Sequence, residues 1–245
     1  YICINLIGIL YEKNKNDFNL IHTDLPSLLS KLAFKNSVEQ FIHLSALGVE
    51  EALESEYAVS KLNGEKKVRE NFLKSVILKP SIVYSVDDNF TTNFMRLLSI
   101  LPVMPLYYKG KTKFTPIHVS DMANIIFEIV KNKISQETIE CVGPEVFTFK
   151  EIIEKILKSI NKKRLLIPLP LPLAKLNAKL FQMMPKPLLT IDQLKLLRYD
   201  NVETNKHKTN FEMNLPANKK FDNEINNYSY NWTTGGQFSK KKLIN

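Results

Sequence analysis

Three side chains of this 245-residue chain have the types and the order needed for proton chemistry at a carbonyl or an alcohol: Ser45, Tyr57 and Lys61. In Tyr57-Ala-Val-Ser-Lys61 the phenol and the ammonium stand one helical turn apart and share a face if the segment is helical. A phenol ionises near pH 10 in water, and a neighbouring cation favours the phenolate. Such a pair can act as general acid or base while a serine hydroxyl orients the reacting oxygen. The spacing alone says little. With nine tyrosines and thirty lysines, chance supplies about one Tyr-x-x-x-Lys, and three occur. Tyr11/Lys15 falls in a polar loop, and Tyr107/Lys111 in a turn bounded by Pro105 and Gly110. Only Tyr57/Lys61 belongs to a helix preceded by an apolar run that ends in a serine. Without that serine it would be an ordinary exposed helical pair with a solvated lysine.

The elements that must position these residues follow from periodicity. Ile2 to Ile7, Phe41 to Leu44 and Val76 to Leu78 are short apolar runs of the kind that form strands buried on both faces. Between them lie a polar loop, Glu12 to Asn19, and a helix capped at Thr23 or Asp24 with Pro26 in its first turn. A second helix runs from about Ser55 to Asn71. Strands alternating with helices of this length predict an α/β fold with a parallel sheet and crossover helices. In such a sheet ligands lie at the carboxyl ends of the strands, where Ser45, Tyr57 and Lys61 can meet. Gly64 inside the second helix costs about 1 kcal/mol relative to alanine and implies close packing against the sheet or a cofactor.

Beyond Pro80 the rhythm changes. A helix over about 89–100, a Pro/Tyr/Gly-marked stretch, a strand over 114–119 and a helix from Met122 to Lys131 capped by Ser120 or Asp121 are expected. A late strand at 138–142 and an amphipathic helix at 149–160 follow. Residues 1–142 are read as one domain, with 90–119 as an excursion towards a smaller, mainly helical lobe formed by 143–245. In that lobe Leu173, Leu176, Leu180 and Met184 recur at three- and four-residue steps, with Lys175, Lys179 and Lys186 on other faces. That pattern suits a helix lying on an anionic surface, and equally one packed on its own domain. The last thirty residues are Asn/Lys-rich with little periodicity. Trp232, Tyr228 and Tyr230 read as a tail clamped onto the core rather than a stacking surface.

Composition narrows the function. The net charge of +9 lies wholly in the second part: residues 1–110 carry 12 basic and 12 acidic side chains, residues 111–245 carry 22 and 13. A basic lobe favours an anionic partner, or merely keeps the lobe soluble. Cys3, Cys141 and the four histidines show no ligand spacing, so no metal site is expected. No apolar run approaches the roughly 20 residues of a spanning helix, and a cytoplasmic, reducing compartment is expected.

Several stretches resemble, in order and context, the atypical short-chain dehydrogenase/reductases of the NAD-dependent epimerase/dehydratase type. They are Asn5-Leu6-Ile7-Gly8, His43-Leu44-Ser45-Ala46-Leu47-Gly48, Tyr57 to Glu65 and Leu78-Lys79-Pro80-Ser81-Ile82-Val83-Tyr84. Asp88-Asn89-Phe90, Gly110 to Asp121, Pro185 to Gln193 and Gly236-Gln237-Phe238 extend the likeness. Within that superfamily the chain is similar to the family of the NAD(P)H-binding accessory subunit of respiratory complex I (NADH:ubiquinone oxidoreductase) and its bacterial relatives. The resemblance implies a doubly wound Rossmann sheet with NAD(P)H as cofactor. It implies contacts from Leu6, Ile7, Gly8, Ser45, Tyr57, Lys61 and Pro80, with Lys61 on the nicotinamide ribose and Pro80 near the carboxamide. It further implies complex I subunits and the anionic inner face of the respiratory membrane as partners.

Members of the superfamily also carry a Gly-x-x-Gly-x-x-Gly turn that holds the pyrophosphate. None of the seven glycines here forms one, and the resemblance puts residue 1 in a fourth strand. The expectation is therefore an N-terminally truncated sequence, inactive by itself, that binds no dinucleotide with useful affinity. Two functions stay open: a complex I-associated subunit that holds NAD(P)H as a structural or sensing ligand, and a free-standing reductase, epimerase or dehydratase acting on a carbonyl or sugar-nucleotide substrate. An RNA-binding role finds no aromatic-basic interleaving to support it.

Overall fold

The computed structural model describes residues 1–184 and 187–238. The expected runs become β1 (Ile2–Asn5), β2 (Gln40–Leu44) and β3 (Val76–Pro80). They pair in parallel with β8 (Thr138–Cys141), and β11 (Lys208–Thr209) adds a fifth strand, in the order β1-β2-β3-β8-β11. Cys3 stands opposite Phe41, Ile42 opposite Val76, and Leu78 opposite Ile139. Helices α1 (Asp17–Asn19), α2 (Leu25–Lys35) and α3 (Glu56–Asn71) make the crossovers on one face. Helix α5 (Val119–Lys131) covers the other. Alternation along β2 divides the core accordingly. Phe41 packs with Ala33, Val68 and Phe72, while Ile42 joins Val76, Leu78, Ile125 and Ile129. This is the α/β doubly wound arrangement expected from the strand–helix rhythm.

A second core lies beyond Pro80. The short strand β4 (Val83–Tyr84) leads to α4 (Thr91–Ile100) and β5 (Val103–Leu106), and then to β6 (Lys113–Phe114) and β7 (Ile117–His118). Met95, Leu98, Met104 and Phe114 pack there with Phe149, Ile152, Ile153 and Ile156 of α6 (Phe149–Ser159), after β9 (Phe147–Thr148). Further on come β10 (Leu165–Pro168), parallel to β5, then α7 (Leu171–Gln182), α8 (Ile191–Leu196) and α9 (Phe221–Ser229).

Four local expectations are corrected. The strand expected over 114–119 is split into β6 and β7 around Thr115-Pro116, because proline cannot donate to a ladder. Asp24 stands at the N-cap of α2, but its side chain accepts no amide of the first turn, because a π-helical turn, Leu20–Asp24, runs straight into the helix. Helix α5 is capped by His118, whose Nδ1 accepts the Ser120 N–H at 3.3 Å, whereas Asp121 accepts the Lys219 N–H at 2.9 Å and ties in the late chain. The Asn/Lys-rich tail does carry a helix. Phe221, Ile225 and Tyr228 of α9, with Trp232, fill the second core, so the clamped-tail reading holds for Tyr228 and Trp232, whereas Tyr230 is exposed.

Candidate functional site

Helix α3 presents the pair. Ser55 caps it and accepts the Ala58 N–H at 3.2 Å. Lys61 is 4% exposed, and its ammonium reaches back over the carboxyl end of β2 to donate to the Leu44 carbonyl at 3.2 Å. A Cβ added to Gly8 would lie 3.1 Å from that ammonium and 3.7 Å from His22 Nε2, so the exposed turn after β1 passes directly over Lys61 because Gly8 has no side chain. Burial pulls the Lys61 ammonium down to about 8, with Glu65 opposing. The Lys61 ammonium is 6.0 Å from the centre of the Tyr57 ring. Tyr57 is held edge-on by Phe18 and His22, and burial pushes its phenol up to about 12. In this arrangement burial opposes the phenolate that a neighbouring cation favours.

Ser45 follows the carboxyl end of β2 as expected, but its hydroxyl points elsewhere. It is buried, and its hydroxyl donates to Glu65 of α3, so its proton is committed to a carboxylate rather than offered to a reacting oxygen. Glu65 in turn meets Lys79, which is 1% exposed and lies between Glu65 at 3.2 Å and Glu50 at 2.5 Å. His207 and Lys206 extend the network to the surface. Burial opposes the Glu50 charge, yet Lys79 and His207 hold its carboxyl below the usual range. Pro80 is buried, its carbonyl accepting the Leu47 N–H at 2.9 Å, and Ser81 donates to Asn201 Oδ1 at 2.6 Å. Leu6 and Ile7 are half exposed in the turn after β1. The structure thus brings Gly8, Tyr57 and Lys61 to one edge of the sheet and turns Ser45 into the core. The other two Tyr/Lys spacings do not join them. Tyr107 is buried against α7, with its hydroxyl on Asn177 Oδ1 at 2.9 Å.

Two histidines that no ligand spacing singles out also line this edge. His22, in the π-helical turn, accepts the Ile9 N–H through Nε2 at 3.1 Å and donates through Nδ1 to Ser60, 2.9 Å away; Ser60 itself donates to the Tyr57 carbonyl. His43 accepts from Asn5 Nδ2 at 3.1 Å, which leaves its buried Nε2 donor without a partner among the described residues. One signal lies in the sequence, since His43 is a polar residue inside an apolar strand, whereas the π turn that carries His22 shows only in the fold. Gly64 proves to be a packing glycine, though not against the sheet or a cofactor. A Cβ there would fall 1.9 Å from the His22 carbonyl oxygen, so Gly64 admits the π turn against α3.

These histidines carry a pH prediction. Burial first, and the Lys61 charge second, hold both near 3 against 6.5 for the free side chain. Below pH 6.5 the unfolded chain takes up protons that the folded chain refuses, so stability falls as pH falls through that window. The slope is about 1.4 kcal/mol per pH unit for each histidine. Urea unfolding is expected to show a loss of roughly 3–4 kcal/mol between pH 6.5 and pH 5. A flat profile there would contradict the buried neutral state.

On α7, Ala174 and Ala178 face inward against Leu189 and Leu194, so the leucine stripe points out. Leu173, Leu176 and Leu180 are 52%, 56% and 59% exposed, and Lys175 and Lys179 stand exposed beside them. Met184 is exposed as well, while Lys186 lies outside the described residues. Leu165 and Ile167 of β10 and Val103 of β5 are further exposed apolar side chains. Among the described residues no helix is long and apolar enough to cross a membrane, and no cluster could hold a metal ion.

The chain is similar to several known proteins. The chain is 29% identical over 204 residues to the mouse (Mus musculus) protein NADH dehydrogenase (ubiquinone) 1 alpha subcomplex subunit 9, mitochondrial, covering 82% of this chain and 54% of the relative. It is 25% identical over 238 residues to the NADH-ubiquinone oxidoreductase 40 kDa subunit of Neurospora crassa, covering 94% and 60%. The chain therefore spans little more than half the length of these curated relatives. The crystal structure of UDP-glucuronic acid 4-epimerase from Bacillus cereus, in complex with UDP-glucuronic acid and NAD, superposes with a TM-score of 0.66 at 16% identity. That superposition covers 93% of this chain and 74% of the epimerase, and it shows a shared Rossmann-like fold. Residues 51–188, more than half of the sequence and the stretch that holds Tyr57, Lys61 and α7, match the family described as RmlD substrate binding domain, and the chain belongs to that family.

Proposed function

We propose that this chain is part of a NAD(P)-binding, short-chain dehydrogenase-like subunit of the complex I type that holds NAD(P)H as a structural or sensing ligand. One observation carries the reading: the Lys61 ammonium, the Tyr57 phenol and the side-chain-free Gly8 converge at the carboxyl edge between β1 and β2. Relatives named as NADH-ubiquinone oxidoreductase subunits support the assignment to complex I. The residues present suit the nicotinamide end of a dinucleotide. Gly8 leaves room for a close approach, Lys61 is a buried donor, and His43 Nε2 is an unspent one beside them. When bound, the dinucleotide supplies a hydride and, once oxidised, a positively charged ring. Lys61 would hold the ribose hydroxyls, and Tyr57 would keep its proton at the phenol oxygen. With Ser45 bound to Glu65 and the phenol neutral, the geometry favours holding over turnover.

The outward leucines and lysines of α7 would seat this subunit on complex I partners and on the anionic inner face of the respiratory membrane, peripheral to it. The test is fractionation of cells that express the full-length protein. It is expected to sediment with membranes, to co-purify with quinone-oxidoreductase subunits and to be partly released by salt, since charges beyond about 8 Å are screened at physiological ionic strength. Replacing Lys175, Lys179 and Lys186 with glutamate is expected to release more, at about 1 kcal/mol per lysine near an anionic surface. A wholly soluble protein with no such subunits, turning over a small carbonyl compound, would establish the free-standing enzyme instead.

A further inference from the structure

The N-terminus of α3 is not finished by its own sequence. Its first three backbone donors are Glu56, Tyr57 and Ala58, and the cap Ser55 satisfies only the last. The other two are satisfied from 135 residues away. Asp192, the second residue of α8, accepts the Glu56 N–H through Oδ1 at 2.9 Å and the Tyr57 N–H through Oδ2 at 3.1 Å. The Ser55 hydroxyl adds a third bond to Oδ2 at 2.7 Å. A carboxylate at a helix N-terminus also meets the positive end of the helix dipole. The donor of one of these bonds is the backbone of Tyr57 itself, and Lys61 follows one turn later.

Helix α8 is anchored on three sides. Thr190 and Gln193 form a capping box that fixes its first turn, and the Gln193 amide also donates to the Leu10 carbonyl at 3.2 Å, just past the Gly8 turn. The Ile191 N–H is accepted by Gln182 of α7 at 3.2 Å, and Leu194 packs on Ala174 and Ala178. One short helix therefore holds the Tyr57 backbone, touches the loop over Lys61 and rests on the inner face of the helix whose outer face is the exposed leucine stripe.

We propose that Asp192 is a positioning residue for the Tyr57/Lys61 pair: a carboxylate on α8 that sets the N-terminus of α3, so that Lys61 and the Gly8 turn are aligned for the dinucleotide. The proposal rests on the reading that this edge of the sheet takes NAD(P)H, and it adds the element that holds the edge in register. The position of α7 thereby feeds into the site through α8.

The experiment uses the full-length protein, as wild type and as Asp192→Ala, Asp192→Asn and Glu54→Gln. Glu54 accepts from Tyr199 at 2.9 Å across the same junction but bonds none of the α3 amides. NADPH affinity is followed by nicotinamide fluorescence, thermal midpoint by scanning, and the titration of Lys61 by 13C NMR without dinucleotide. Asp192→Ala is expected to weaken NADPH binding tenfold or more and to move the Lys61 titration away from its wild-type midpoint near pH 8. Asp192→Asn keeps one acceptor oxygen and is expected to recover most of the affinity. Glu54→Gln is expected to change neither. Unaltered affinity and an unaltered Lys61 titration in Asp192→Ala, whatever its thermal midpoint, would overturn the proposal. A wild-type protein that binds no NADPH would sink the functional reading, and the Lys61 titration alone would then decide the role of Asp192.

Discussion

A Lys79→Ala variant is expected to lose about 3–5 kcal/mol of stability, a large part of the 5–15 kcal/mol typical of a folded domain. Lys79 is a fully buried cation on a central strand, and its two carboxylate partners come from different elements, Glu65 on α3 and Glu50 in the loop after β2. Removing the ammonium takes from the buried Glu65 carboxylate its direct ion-pair partner and leaves it a bond from Ser45 and only the more distant charges of Lys61 and Arg69. Glu50 suffers less, because His207 and Lys206 remain. Urea unfolding at pH 7 measures the loss. Lys79→Met combined with Glu65→Gln is expected to recover at least half of it, since glutamine still accepts the Ser45 hydroxyl and no unpaired charge stays at that position. A loss below about 1 kcal/mol in the single variant would mean that water reaches the carboxylates and that the network is not sealed.

Lys61→Ala in the full-length protein is expected to weaken dinucleotide binding by a factor of 10–100, the equivalent of a charge-assisted hydrogen bond worth about 1.5–3 kcal/mol. Lys61→Met keeps the length of the side chain, so a similar loss there assigns the effect to the ammonium rather than to packing. Tyr57→Phe removes only an oxygen. Affinity should stay within about twofold, while any carbonyl reduction should fall by about 10²–10⁴, the usual contribution of a positioned acid or base. Tyr11→Phe and Tyr107→Phe should alter neither quantity, although the second leaves Asn177 without its hydroxyl partner. Fluorescence titration and turnover of a carbonyl substrate check both. Full activity in Tyr57→Phe, or a large loss in either of the other two, would show that the wrong tyrosine was chosen.

The parts of the molecule that could be read from the sequence are those whose signal is local. Phe41 to Leu44 and Val76 to Leu78 announce buried strands by their apolar runs, and Ser55 announces the start of α3. Tyr57 and Lys61 share a helical face whatever the helix packs against. What escaped depends on residues far apart in the chain. Ser45 has the right place but the wrong partner, because Glu65 and Lys79 meet it only once β2, β3 and α3 are assembled. Asp192 looks like a residue of its own helix until α8 docks on α3. Strand β11 is two residues long and has no run to find, and the pattern Phe221, Ile225, Tyr228, Trp232 is diluted by asparagine and by the acidic Asp222 and Glu224.

Strand β11 has a consequence for how the protein is made. The β8 edge is closed by Lys208 and Thr209, the Val142 N–H is accepted by Asn210 68 residues later, and Leu215 and Ala217 sit in the core between the sheet and α5. On a ribosome adding about 5–20 residues per second, β8 would wait roughly 3–14 s for the segment that covers it. During that interval the nascent chain exposes a parallel sheet edge and an unfilled apolar layer, both templates for pairing with a neighbouring chain. Folding of the first core is therefore tied to synthesis of residues 208–217. A stalled or prematurely ended product that stops before residue 208 is exposed to aggregation even though every residue of the Tyr57/Lys61 helix has already been made.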